Sequence, residues 1–197
     1  MPPTGVLRKR VRRMRSTGSP RGVPRIYGEQ AAPAQTESSM LEGHHFQNAY
    51  VTRDVDKWVD AFRKRAKVDR VLTYEGSTQV TTPEGPGIQT NKLAFIWVGD
   101  LQYELIQPVS GSVRLYADAL PPDDSLQFHH ICMRVADWDD FRARVDEQPY
   151  PVVLEGGNEL LRFLYLDARP FLGHYVEYTW MTDERWAQMG GQKSAQC

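Results

Sequence analysis

FQNAYVTRDVDKWVDAF (residues 46–62) aligns without a gap on HHICMRVADWDDFRARV (residues 129–145), which begins 83 positions further along the chain. A self-match of this kind is the signature of an internal structural repeat. Each copy has a side chain able to ligate at its second position, Gln47 and His130. An aspartate follows seven residues later, Asp54 and Asp137. A large aromatic comes four residues after that, Trp58 and Phe141, and an apolar residue eight after, Phe62 and Val145.

The repeated unit reads as a strand followed by a capped helix. Residues 46–52 and 129–135 are β-prone with alternating faces. In the second copy Ile131, Met133 and Val135 share one face; His130, Cys132 and Arg134 share the other, which sends His129 away from His130 as a structural residue. Asp54 and Asp137 stand where a carboxylate accepts from free amides at a helix start. The pairs Trp58/Phe62 and Phe141/Val145 are spaced to give each helix one buried stripe.

Each unit is followed by further strands. After the first come 71–75, a Gly/Pro/Thr-rich loop at 76–91, then 93–98 and 101–107 joined by a Gly99-Asp100 hairpin turn. After the second come 151–155, a Gly156-Gly157 turn, then 160–166 and 174–180. Glu104 and Glu177 each sit centrally in the last strand of their set. The predicted fold is α+β: two βαβββ modules whose mixed sheets curl around one metal-binding cavity. Module one spans 44–108, a linker 109–126 and module two 127–182, together a domain over 41–182. Two modules in one chain complete such a cavity alone or across a homodimer.

Outside this domain the sequence changes character. Residues 1–40 hold eight basic residues against two acidic ones, five prolines and four glycines. That composition predicts a disordered basic tail, with Met40 as an alternative start. It leaves 16 of the 24 basic and 23 of the 25 acidic residues to 41–197. An acidic body argues against a nucleic-acid partner. No apolar run approaches the ~18 residues of a membrane span. Cys132 and Cys197 alone make a disulfide framework improbable and point to a reducing, cytoplasmic setting. Residues 183–197 are expected to form a flexible C-terminal tail.

If four equivalent strands line one cavity, Gln47, Glu104, His130 and Glu177 converge there. One imidazole, two carboxylates and an amide oxygen suit a divalent cation, with open positions for water or substrate oxygens. Zn, Mn, Co and Ni all fit this donor set. A one-residue slip on the first strand substitutes His44 or His45 for Gln47. Tyr50, Trp97 and Tyr165 are read as core fillers. Arg162 and Arg169 are weak candidates for binding a substrate anion, and His174 is read as a strand-start residue.

The paired βαβββ layout, FHHICMRVADW (128–138) and HYVEYTW (174–180) resemble the vicinal oxygen chelate superfamily over residues 44–181. That superfamily includes glyoxalase I, methylmalonyl-CoA epimerase, extradiol dioxygenases and antibiotic-resistance proteins. FHHICMRV and YELIQP (103–108) are especially similar to the epimerase-like branch. The set Gln47, Glu104, His130 and Glu177 matches the metal-site pattern of eukaryotic-type glyoxalase I. Val51 and Pro108 depart from that pattern where it has a glutathione-binding Arg and an Asn, so glutathione is not implied.

The resemblance implies a metal-dependent isomerase, epimerase or lyase acting on a small carbonyl compound. Glu177 or Glu104 would abstract an α-proton, with the resulting enolate stabilised. Two other readings stay open. An extradiol-type dioxygenase would use Fe with two His and one carboxylate. A non-catalytic binder of the resistance type would keep the cavity without needing the metal.

Overall fold

The computed structural model describes residues 41–191. The basic tail read at 1–40 and the end of the chain at 192–197 lie outside them. Module one consists of strand β1 (His44–Val51), helix α1 (Val55–Arg65), and strands β2 (Arg70–Thr82), β3 (Gly85–Val98) and β4 (Leu101–Gly111). Short helix α2 (Arg114–Ala117) follows in the linker. Module two consists of β5 (Gln127–Arg134), α3 (Trp138–Arg144), β6 (Val152–Gly157), β7 (Leu161–Leu166), short helix α4 (Arg169–Leu172) and β8 (Tyr175–Met181). Helix α5 (Asp183–Gln188) comes last.

The repeat is visible in the strand pairing. In each module the first strand runs parallel to the last, β1 to β4 and β5 to β8, and the other neighbours are antiparallel. β1 pairs antiparallel with β5, and β2 meets β6 at Val80–Gly156 and Thr81–Glu155. These two seams close all eight strands into a barrel in the order β1-β4-β3-β2-β6-β7-β8-β5. One chain is enough to close it.

Both helices start as the sequence predicts. Asp54 accepts a hydrogen bond from the Lys57 amide and Asp137 from the Asp140 amide, each at 2.9 Å. The stripe on α1 is shifted, however. Val55 and Val59 are the buried residues, and Trp58 and Phe62 pack half-buried at its edge. Trp58 turns outward because its indole N–H donates to the Asp124 carbonyl at 2.7 Å. Phe141 on α3 and Val145 just past its end are buried against Leu164, Val176 and Tyr178 as expected.

Three other expectations need correction. The segment 76–91 is no loop: β2 and β3 pair from Arg70–Trp97 out to Thr82–Gly85, turning at Pro83-Glu84. Its alternating Thr, Val and Gln find a ladder partner that local composition does not announce. Gly156-Gly157 lies inside β6, and the turn falls at Asn158, whose side chain accepts from the Leu160 and Leu161 amides. The third concerns the C-terminal end. Residues 183–188 are helical, capped by Thr182, which accepts from the Arg185 amide. Trp186 and Met189 pack on Phe46, Phe95 and Trp97, and the Trp97 indole donates to the Met189 carbonyl at 2.7 Å. Phe46, Phe95 and Met189 of this cluster also line the barrel cavity.

Candidate metal centre

Two bulges aim the first strands of the modules inward. On β1, His45 pairs with Met133 and Gln47 with Cys132, leaving Phe46 as the extra residue. Phe46 and Gln47 are both buried as a result, and both line the barrel cavity. His44 and His45 are exposed, and His45 Nε2 bonds Asn48 Oδ1 at 2.9 Å. Gln47, and neither histidine, is therefore the polar β1 residue facing the cavity, beside Phe46.

The second bulge corrects the expectation for His129. Ala49 pairs with His130 and Tyr50 with Phe128, so His129 is the extra residue. Its ring swings to the same side as His130, and the two Nδ1 atoms lie 2.9 Å apart. His129 Nε2 reaches the Leu115 carbonyl at 3.0 Å, which can only accept. His129 therefore carries its hydrogen on Nε2 and accepts on Nδ1 from the Nδ1–H of His130. That leaves His130 Nε2 pointing at the carboxylates.

His130 Nε2 lies 3.0 Å from Glu177 Oε2 and 3.6 Å from Glu104 Oε2. His130 is fully buried, and the two glutamates are 7% and 8% exposed for Glu104 and Glu177. One ligand atom from each of the three lies within 4.8 Å of the others. β4, β5 and β8 thus bring together the residues that the repeat selected. Gln47 lines the same cavity as Glu104 and Glu177. Its amide nitrogen donates to Gln102 Oε1 at 2.6 Å, and its Oε1 is buried with no hydrogen-bond partner.

The electrostatics follow from this crowding. Burial raises Glu104 above the usual carboxylate range; the His130 hydrogen bond opposes this and the Glu177 charge adds to it. For His130, burial alone would depress the pKa, but the bonds and charges of Glu104 and Glu177 outweigh it and push it up to about 9. His129 is pushed down to about 3, first by burial and then by the charge of His130. Burial also pushes the Cys132 thiol up, so it is an inert wall residue.

Two tyrosines that the sequence did not single out as functional extend the site. The Tyr165 hydroxyl lies 3.4 Å from His130 Nε2. Tyr116 of α2 packs edge-on against Tyr165, ring centroids 6.1 Å apart, and lines the same cavity. From the sequence Tyr165 reads as a core filler and Tyr116 falls in the linker, so neither carries a local signal. Arg162 and Arg169 are taken up in surface ion pairs with Asp139 and Asp167, at 2.9 and 2.6 Å. His174 bonds the neighbouring Tyr175 carbonyl at its strand edge.

The cavity holding the cluster measures about 360 Å³ and is also lined by Leu93, Phe95, Phe163 and Met181. This size suits a small molecule. A larger open groove of about 850 Å³ runs between the β2–β3 hairpin and the β6–β7 turn, but none of Glu104, His130 or Glu177 lines it.

A barrel of two βαβββ modules around a buried Glu-His-Glu cluster defines a recognisable class. The chain belongs to the glyoxalase/bleomycin resistance protein/dioxygenase superfamily, whose family model matches residues 46–164. Several solved structures share the fold. A hypothetical protein from Bacillus halodurans is 16% identical, with a TM-score of 0.52 over 71% of this chain and 95% of that one. A variant of the Streptomyces coelicolor methylmalonyl-CoA epimerase, in complex with 2-nitronate-propionyl-CoA, is 15% identical, with a TM-score of 0.52 over 71% and 98%. The Mycobacterium tuberculosis methylmalonyl-CoA epimerase is 14% identical, with a TM-score of 0.52 over 73% and 91%. No curated protein matches the sequence.

Proposed function

We propose that this protein is a metal-dependent isomerase or epimerase that shifts a proton α to the carbonyl of a small molecule. The observation that carries the reading is the burial of two carboxylates against one imidazole nitrogen, with ligand atoms within 4.8 Å. Buried carboxylates at this spacing repel each other unless a cation or a shared proton stands between them. The orphaned Gln47 Oε1 fits the same reading, because an amide oxygen with no donor is available as a fourth ligand. Gln47, Glu104, His130 and Glu177 would hold the ion. Zn, Mn, Co and Ni remain equally compatible with these donors.

When bound, a divalent cation supplies Lewis acidity that draws electron density toward a carbonyl oxygen. The remaining work falls to side chains. Glu177 is bonded to His130 at 3.0 Å, whereas Glu104 sits at 3.6 Å and is the looser of the two. Burial favours its protonated form, the direction a proton acceptor needs. Glu104 would take the proton from the carbon α to the carbonyl as the C–H pair delocalises onto the carbonyl oxygen. The same carboxyl, after exchanging its proton with solvent, returns one to the neighbouring carbon on the same face, whereas inversion at the α-carbon would draw its proton from the second carboxyl of the cluster, Glu177, on the other face. The Tyr165 hydroxyl is placed to donate to the oxygen that gains charge. His129 holds the His130 ring in its orientation.

The structural neighbours named as epimerases favour proton-shift chemistry over the alternatives. An iron dioxygenase site calls for two histidines and one carboxylate, and the β1 histidines face outward. The test is deuterium exchange. The metal-loaded protein in D₂O should wash deuterium into the α-position of a bound carbonyl compound, and Glu104→Gln should abolish that wash-in. Oxygen uptake without exchange would contradict the proposal.

A further inference from the structure

The cavity wall carries polar groups that the metal centre does not use. Gln89 and Asn91 lie two residues apart on β3, so both side chains face into the barrel. Each is 5% exposed, and Gln89 Oε1 and Asn91 Oδ1 are buried without a hydrogen-bond partner. Leaving a buried acceptor unmet costs roughly 1–3 kcal/mol, so apolar residues would serve a purely structural wall better. The next inward residues on the same strand, Leu93 and Phe95, are apolar.

Their position relative to the cluster is informative. Phe95 pairs with Glu104 across the β3–β4 ladder. Asn91 lies four residues further along β3, roughly 13 Å at the usual rise per residue. Tyr165, whose hydroxyl lies 3.4 Å from His130 Nε2, and Tyr116, packed edge-on against it, line the same cavity as Gln89 and Asn91. A molecule lying in the cavity would meet the carboxylates at one end, tyrosines along its length and amide oxygens without a partner at the other end.

From this arrangement we infer that the barrel takes a small polyhydroxylated carbonyl compound, its carbonyl end at Glu104, His130 and Glu177 and its distal hydroxyls on Gln89 and Asn91. The orientation rests on the metal-site reading above. Hydroxyls are the groups of choice because each both donates and accepts, and so satisfies an amide in either of its two orientations. In the ligand-free protein water can occupy these positions. Ligand hydroxyls displace that water and reproduce its bonds, which an alkyl chain cannot do.

Two six-carbon probes separate the possibilities. 2-Ketogluconate and 2-oxohexanoate share an α-keto acid end and differ in the hydroxyls along the rest of the chain. Calorimetric titration of the full chain loaded with Mn²⁺ should give at least tenfold tighter binding of 2-ketogluconate. In Gln89→Leu, Asn91→Leu and the double variant the ratio should fall toward one, with Mn²⁺ uptake unchanged and the ligand-free melting temperature equal or higher. Equal or tighter binding of 2-oxohexanoate, binding of neither probe, or an unchanged ratio in correctly folded variants would overturn the inference. Failure of Mn²⁺ to bind would instead sink the metal reading. The same two titrations on the metal-free chain would then decide the pocket's preference by the same ratio.

Discussion

The Nδ1 atoms of His129 and His130 lie 2.9 Å apart, so one ring must accept what the other donates. The Leu115 carbonyl settles the direction by occupying the only hydrogen of His129. A ligating imidazole is usually held by a partner on its second nitrogen, and removing that partner weakens metal affinity by about 10–100-fold. His129→Ala should therefore lower metal affinity by at least tenfold, read by chelator competition, with Glu104 and Glu177 intact. Unchanged affinity would mean that packing alone orients His130.

The metal-free protein should lose stability as pH rises from about 6.5 to 9. His130 has an ordinary pKa of 6.5 when unfolded and about 9 when folded. Its contribution is complete below 6.5 and is lost as pH climbs through 9, because the folded form then gives up a proton that had stabilised it. The difference between 6.5 and about 9 corresponds to on the order of 3 kcal/mol. Glu104, raised mainly by burial, acts in the same direction wherever its titration overlaps this window. His129 stays neutral throughout, since burial holds it near 3. Melting temperatures across this range should fall in the metal-free protein. With the metal bound they should stay nearly level, because the ion replaces the proton. His130→Gln should flatten the slope without metal.

Helix α5 should matter to the whole domain. Trp186 packs edge-on against Phe46 at 4.9 Å and Trp97 at 5.8 Å, with the Arg134 guanidinium 4.5 Å over its ring. Trp186→Ala removes a buried indole and should cost about 3 kcal/mol or more, measured by urea unfolding. A loss under about 0.5 kcal/mol, the size of an ordinary surface change, would show that the helix is peripheral.

Much of this fold could be read from two aligned segments. Asp54 and Asp137 announced two helix starts, and the placing of Glu104 and Glu177 in the last strand of each module followed once the repeat was seen. What escaped reading was set by tertiary contact. The bulges at Phe46 and His129 depend on how β1 and β5 pair, and they reverse a face assignment made by simple alternation. Ser77–Thr82 look like loop until β3 supplies a ladder. Tyr116 reaches the site from a linker whose course no local pattern fixes. Trp186 and Met189 did carry a signal, an apolar pair three apart behind Thr182-Asp183-Glu184, which matches a capped short helix. Gln89 and Asn91 could not be placed, because composition does not say which face of a strand turns inward.

The central claim is that Glu104, His130 and Glu177, with Gln47, hold a divalent cation. It is tested most directly by the metal content of the chain purified without a histidine tag, beside His130→Ala and Glu177→Ala. The unmutated protein should carry close to one Zn, Mn, Co or Ni per chain, and both variants should lose nearly all of it. No stoichiometric metal in the folded, unmutated chain, or full retention in both variants, would contradict it.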